Sequence, residues 1–264
     1  MFRYMIIVGL CILTMLGGCA ALKEAPDKTL NWSAQRLYDK AKTALNAGDW
    51  EVAIEHYEKL ESRFPFGQLA QQAQIEIAYA YYKYDEPASA LAAADRFIKL
   101  YPNHPNVDYV YYLKGLVTFT RGKGFVRSIL EQFAAPDESQ RDPTLFREAF
   151  GHFEELVSKY PTSVYAKDAR QRMIYLRNTI AKHELNVASY YLRRGAYVAS
   201  VNRAKYVVEN YQRTPAAPDA LVIMVTAYKI MGVDDLAEDA LRVLEASYPE
   251  HPGLAEARRL VLID

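Results

Sequence analysis

Histidines, cysteines and paired carboxylates are where catalysis would have to come from in this chain, and they are few and scattered. The histidines are His56, His104, His152, His183 and His251; the cysteines are Cys11 and Cys19. There is no His-Glu-x-x-His motif, no close Cys/His set and no nucleophile elbow. Metal-assisted hydrolysis and acyl transfer therefore have no sequence basis. The neighbouring carboxylates Glu154-Glu155 and Asp234-Asp235 point in different directions on a helix instead of converging on a substrate. Gly122-Lys123-Gly124 lacks both Walker spacing and a preceding strand, so it is no phosphate loop. The chain is expected to be non-enzymatic, with no metal site and no diffusible cofactor.

One thiol does sit in a context that gives it chemistry. Met1–Gly18 carries a single positive charge, Arg3, then the uncharged run Met5–Leu16 and two glycines before Cys19. That order reads as a secretory signal, and the apolar run is shorter than the ~20 residues a membrane-spanning helix needs. Leu16-Gly17-Gly18-Cys19 resembles a bacterial lipobox, in which the cysteine is lipidated on its thiol and becomes the new N-terminus. Ordinary secretion with a free cysteine is the alternative. The segments are then a signal peptide at 1–18 and a lipidated tether at 19–32. Cys11 leaves with the signal, so the mature chain has no second cysteine for an internal disulfide. Several acyl chains anchor firmly where one binds marginally. By resemblance to Gram-negative lipoproteins, Ala20 in place of Asp after the cysteine points to the outer membrane.

The elements behind these residues follow a ruler. A turn-prone residue recurs 16 residues before an aromatic: Gly48 to Phe64, Asp85 to Tyr101, Gly195 to Tyr211 and Gly232 to Tyr248, with Thr144 to Tyr160 as a degenerate copy. An alanine or serine falls five residues after each turn position: Ala53, Ala90, Ala149, Ser200 and Ala237. This is the spacing of tetratricopeptide-type helical pairs, which stack into solenoids and bind other proteins. The fold class is all-α, a tetratricopeptide-like solenoid of about five helical pairs with an insertion in the third.

The first pair is expected at about Ser33–Ala47 and Trp50–Arg63, with Ser33 as N-cap. The second is Leu69–Lys83 and Pro87–Tyr101, and the third Val107–Thr120 and Pro143–Tyr160. Arg121–Asp142 interrupts the third pair and is too rich in apolar residues, Phe125 to Phe133, for a plain linker; it is expected to pack back on the solenoid. An added helix, Tyr165–Lys182, runs without a strong breaker toward the fourth pair's first helix, Glu184–Arg194; Tyr197–Tyr211 completes that pair. Gln212–Pro218 is read as a linker, followed by Asp219–Met231, Asp234–Tyr248 and a terminal helix, Leu254–Leu262. The resulting regions are 33–120, 121–142, 143–183 and 184–264.

Lys plus Arg equals Asp plus Glu at 32 each, so no basic excess argues for nucleic acid. The 21 tyrosines exceed what one buried stripe absorbs in Tyr79–Tyr84 and Tyr109–Tyr112. Either these rings are inter-repeat packing or several of them line a groove, where large amphipathic rings give contact area at low entropy cost. The loops Tyr101-Pro102-Asn103-His104-Pro105 and Tyr248-Pro249-Glu250-His251-Pro252 match, so His104 and His251 are read as structural. His56 and His152 share a repeat position with Ala93, Arg203 and Ala240, read as partly exposed helix surface.

Several non-periodic stretches carry a resemblance. They are the lipobox, Arg63-Phe64-Pro65-Phe66-Gly67, Tyr101–Val110, Arg141-Asp142-Pro143, Arg194–Ala199 and Val201-Asn202-Arg203. Together they resemble, over essentially the whole chain, the BamD family, lipoprotein subunits of the outer-membrane beta-barrel assembly machinery of Gram-negative bacteria. The family usually has Tyr where this chain has Phe64.

The resemblance implies a periplasmic adaptor, lipid-anchored on the periplasmic side of the outer membrane. Its expected partners are the barrel-forming subunit through its POTRA domains, other assembly lipoproteins, and targeting segments of unfolded outer-membrane proteins. It implies client binding by the N-terminal repeats, for which Phe66, Tyr81, Tyr109 and Tyr112 are the candidate groove residues. It implies docking of the barrel subunit on the C-terminal repeats, with Arg194, Asn202 and Arg203 as candidates. A periplasmic repeat lipoprotein that scaffolds cell-wall or division proteins is the competing reading.

Overall fold

The computed structural model describes residues 27–123, Ser139 and residues 142–262; Cys19 and the apolar residues Phe125 to Phe133 of the insertion lie outside the described residues. Helices follow one another as α1 (Ala34–Ala47), α2 (Trp50–Arg63), α3 (Gln68–Lys83), α4 (Pro87–Leu100), α5 (Val107–Lys123) and α6 (Thr144–Lys159). Then come α7 (Ala166–Arg193), α8 (Tyr197–Asn210), α9 (Ala216–Ile230), α10 (Asp234–Ser247) and α11 (Leu254–Leu262). Each helix packs on the next, and odd-numbered helices also pack on their odd neighbours: α1 on α3, α3 on α5, α7 on α9 and α9 on α11. Side-chain contacts of Tyr112 with Asp168 and of Phe119 with Tyr175 join α5 to α7, so the odd helices form one layer and the even helices stand behind it.

The ruler is physical at four of its five turn marks. Gly48, Gly195 and Gly232 have φ of +82°, +75° and +70°, and Asp85, at +63°, holds the same left-handed turn without being glycine. The fifth copy lacks this turn, because α6 begins at Thr144 itself. Ala53, Ala90, Ala149, Ser200 and Ala237 are all completely buried. Their small side chains let the two helices of a pair approach closely. Leu60, Phe97, Leu156, Val207 and Leu244 are also fully buried, and each accepts a 2.8 Å hydrogen bond from the N–H of the aromatic four residues on. That aromatic closes the helix each time, leaving it with φ between −130° and −140°. In the third pair the helices meet tightly at Gly115, where an added Cβ would overlap the Phe153 ring.

Two boundaries differ from the sequence expectation. Positions 183 and 184 lie inside one uninterrupted 28-residue helix, α7, because no glycine or proline falls between Ala166 and Arg193. Likewise α9 starts at Ala216, so the expected linker Gln212–Pro218 ends inside a helix. Pro218 sits in the first turn, where its missing N–H has no intrahelical acceptor in any case.

The apolar interior divides within α7 although its backbone runs on. One cluster extends from Leu37 to Ile180, and a second begins at Ala181 and reaches Ile223. A third joins α9, α10 and α11 through Leu221, Leu244 and Ala257. The terminal helix thus covers the last pair's apolar face. The junction loops share a device: His104 Nδ1 accepts from Asn106 N at 3.1 Å and His251 Nδ1 from Gly253 N at 3.2 Å. Both imidazoles brace a loop.

Candidate functional site

The odd-helix layer carries a groove of about 440 Å³ between α1, α3 and the start of α5. Lys42 and Asn46 of α1, Gln72 and Tyr79 of α3, and Tyr109 of α5 line it, and Tyr165, just before α7, closes its end. Tyr109 and Tyr112 are one helical turn apart, so they share a face. Both meet the same partner: Tyr165 lies 5.4 Å from the Tyr109 ring and stacks on Tyr112 at 5.0 Å with planes 19° apart. Tyr112 Oη donates to Asp168 Oδ2 at 2.6 Å, and Arg172 Nε reaches the same oxygen at 2.5 Å. Burial and the Asp168 carboxylate push the Tyr112 phenol up to about 12. The ring row continues with the Arg172 guanidinium 5.0 Å above Phe119, whose ring lies 5.9 Å from that of Tyr175.

At the floor of the groove sits Glu76, buried on α3. Its carboxylate accepts from Lys42 Nζ at 2.8 Å, Gln72 Nε2 at 2.8 Å and Tyr38 Oη at 3.0 Å, and also from Tyr57 Oη. Burial alone would raise this carboxyl. The hydrogen bonds from Lys42, Tyr57 and Gln72 outweigh it and hold Glu76 below the usual carboxylate range. Burial, and the hydrogen bond to Glu76, push the Tyr57 phenol in the opposite direction, upward. The buried charge is thus compensated, and rings and amides make up much of the remaining lining.

The other two candidate groove residues are elsewhere. Tyr81 lines a separate groove of about 580 Å³ against α2 and α4 on the even-helix side. Its Oη donates to Glu58 Oε1 at 2.5 Å, beside an Arg96–Glu61 ion pair of 2.7 Å. Phe66 lies in the α2–α3 junction, 88% exposed, outside the lining of either groove. Four rings that share a sequence region therefore do not share a site. Only Tyr109 and Tyr112 are brought together.

In the C-terminal half, Arg194 caps α7 with an exposed side chain, and Asn202 is exposed on α8. Arg203 is exposed as well, but its guanidinium is tied to the framework: its Nη1 lies 2.9 Å from Glu184 Oε2, while Arg147 Nη2 lies 2.7 Å from Oε1. Glu184 is buried on α7. The repeat position that Arg203 shares with His56, Ala93, His152 and Ala240, expected to be partly exposed helix surface, varies from copy to copy: His56, Ala93 and Ala240 are buried, His152 is half-buried and Arg203 is exposed. It faces the first helix of the pair, which is why its side chain finds Glu184.

Glu76, Glu184 and Arg147 escaped the sequence reading. The available signal was register: Glu184 continues the buried stripe of Ile180, Ala181 and Ala188. A carboxylate on such a stripe requires partners. Beyond the last turn of α5, Ser139 is buried on α7; its carbonyl accepts from His183 Nδ1 at 2.9 Å and its hydroxyl from Asn186 Nδ2 at 2.8 Å. That part of the insertion packs on the solenoid. Among the described residues no helix is long and apolar enough to cross a membrane.

Comparison with known proteins adds a family to this geometry. The family model described as "YfiO: Outer membrane lipoprotein" matches residues 31–244. The "Outer membrane protein assembly factor BamD" of Neisseria meningitidis serogroup B is 46% identical over 231 residues, covering 88% of this chain and 85% of the relative. Its Neisseria gonorrhoeae counterpart is 45% identical, covering 92% of this chain and 90% of the relative. The Vibrio cholerae counterpart is 37% identical, covering 92% and 98%.

Proposed function

The chain belongs to the YfiO family of outer membrane lipoproteins, and on that premise we propose that it is a non-enzymatic adaptor in outer-membrane protein assembly. The proposal includes a lipid on Cys19, holding the chain to the periplasmic side of the outer membrane. Its clients are unfolded outer-membrane proteins. Its fixed partners are the POTRA region of the barrel-forming subunit and other assembly lipoproteins.

The observation that carries the client reading is the groove between α1, α3 and α5, with Tyr79, Tyr109 and Tyr165 around an internally neutralised Glu76. Rings with polar tips suit an extended segment bearing aromatic side chains, because they supply area without requiring a unique sequence. An unfolded client loses entropy on ordering, so affinity is modest and the client can be handed on. Docking of the POTRA region falls to the fourth pair, where Arg194 and Asn202 are exposed beside the exposed Tyr190 and Val198.

A photo-crosslinkable residue at Tyr109 or Tyr112 is expected to capture a peptide copying the terminal strand of an outer-membrane protein, and one at Tyr81 is not. Capture at Tyr81 alone would move the client to the opposite face of the solenoid.

A further inference from the structure

The tip of the first pair is used by neither surface, yet the chain arriving from the N-terminus is tied down there. Arg63, the last residue of α2, donates from Nη1 to the Thr29 carbonyl at 2.6 Å and from Nη2 to Thr29 Oγ1 at 3.1 Å. The same Nη2 pairs with the Asp27 carboxylate. Lys59 Nζ reaches Asp27 Oδ1 at 3.4 Å, and Thr29 closes a turn on that oxygen through its N–H at 2.9 Å and its hydroxyl at 2.7 Å. Thr29 is buried by this clamp.

Large apolar side chains surround the clamp without being covered. Leu30, next to Thr29, is 68% exposed; Phe64, next to Arg63, is 37% exposed; Phe66 is 88% exposed. No other large apolar side chain among the described residues is as exposed as Phe66. The charges beside them do not oppose an anionic surface. Asp27 is matched by Arg63, Lys59 is shared between Asp27 and Glu55, and Lys28 is exposed.

From these observations we infer that Leu30, Phe64 and Phe66 form a membrane-contact edge, seated in the interfacial layer of the phospholipid bilayer that holds the lipid anchor. The inference rests on the reading of Cys19 as the lipid-bearing residue. Asp27 lies eight positions after Cys19, and a fully extended chain over those steps reaches at most about 29 Å. The clamp at Asp27 and Thr29 converts that short tether into a fixed point on the fold, so this tip is the part of the solenoid held nearest the bilayer. Phe and Leu side chains bury at the boundary between headgroups and acyl chains. A second contact beside an acyl anchor strengthens binding, and anionic headgroups tolerate the exposed lysine. The edge would also set which way the client groove faces.

The test uses full-length mature protein reconstituted in vesicles of phosphatidylethanolamine and phosphatidylglycerol, with intact mass establishing the acyl group. An environment-sensitive fluorophore is placed on Phe66→Cys, on Leu30→Cys or, as control, on Val198→Cys in the fourth pair. Labels at 66 and 30 are expected to shift to the blue and to be quenched by brominated lipid several-fold more than the label at 198. Acylated protein whose label at 66 is quenched by aqueous iodide as readily as that at 198 overturns the membrane edge and leaves the anchor reading intact. Protein without acyl mass overturns both. Phe66→Glu in the Leu30-labelled, acylated protein should reduce quenching at 30 while the protein stays with the vesicles; unchanged quenching at 30 would also count against the edge.

Discussion

Arg203 and Arg147 meet on one buried carboxylate: both guanidinium groups, 2.9 Å and 2.7 Å away, bind opposite oxygens of Glu184. This contact joins α6, α7 and α8 close to the place where the apolar interior divides, between Ile180 and Ala181. A buried ion pair is weak evidence for net stability, but breaking one costs a great deal because it strands a charge. The triad therefore ties the fourth pair to the third.

Replacing Arg203 by glutamate should destabilise the fold by roughly 3 kcal/mol, since it places a like charge against the buried Glu184. Arg194→Glu, at an exposed cap, should change stability by no more than about 0.5 kcal/mol while weakening capture of the isolated POTRA region. Urea midpoints beside titration calorimetry separate the two effects. Equal midpoints for wild type and Arg203→Glu would remove the structural role assigned to Arg203.

Ala53→Leu should overpack the first pair and cost roughly 1–3 kcal/mol, because Ala53 is fully buried where α1 meets α2. The same change at the exposed Ala88 should stay within about 0.5 kcal/mol. Denaturant unfolding of the two variants checks this, and indistinguishable midpoints would contradict the packing.

Asp85 holds φ at +63°, a region that an L-residue occupies at a cost and glycine does not. Asp85→Gly is expected to raise stability by about 0.5 kcal/mol after the added unfolded-state entropy, and Gly48→Ala to lower it by about 1 kcal/mol. Thermal melts of the pair should move in opposite directions.

Glu76 gives a pH dependence. Burial opposes its charge, but hydrogen bonds from Lys42, Tyr57 and Gln72 prevail and its folded-state pKa is depressed. A depressed carboxyl contributes stability above the unfolded value of about 4.3 and loses it as pH falls through the lower folded value. Wild type should thus exceed Glu76→Gln most at neutral pH and converge on it in acid. Unfolding midpoints across that range test the sign; a gap that widens in acid would reverse it.

The repeat was legible because its marks are local. A turn residue, the small residue five on and the closing aromatic all lie within one helix and its cap, and helical geometry relates them without reference to other pairs. Stretches outside the repeat carried the family resemblance for the same reason: residue identities can be read without a structure. The faces of the solenoid were not legible. Tyr81 and Tyr109 belong to neighbouring odd helices, yet one lines a groove with α2 and α4 and the other a groove with α1 and α3. Which side a ring takes depends on how pairs rotate as they stack. Glu184 draws its partners from 37 and 19 residues away, and only the packing leaves Phe66 uncovered beside the clamp at Arg63 and outside the groove expected for it. Sequence by itself determined the pairs, their register and the family, because these follow from periods within a helix and from residue identity; only tertiary structure decided which side chains share a surface, because burial and charge pairing are set by the packing of helices distant in the chain.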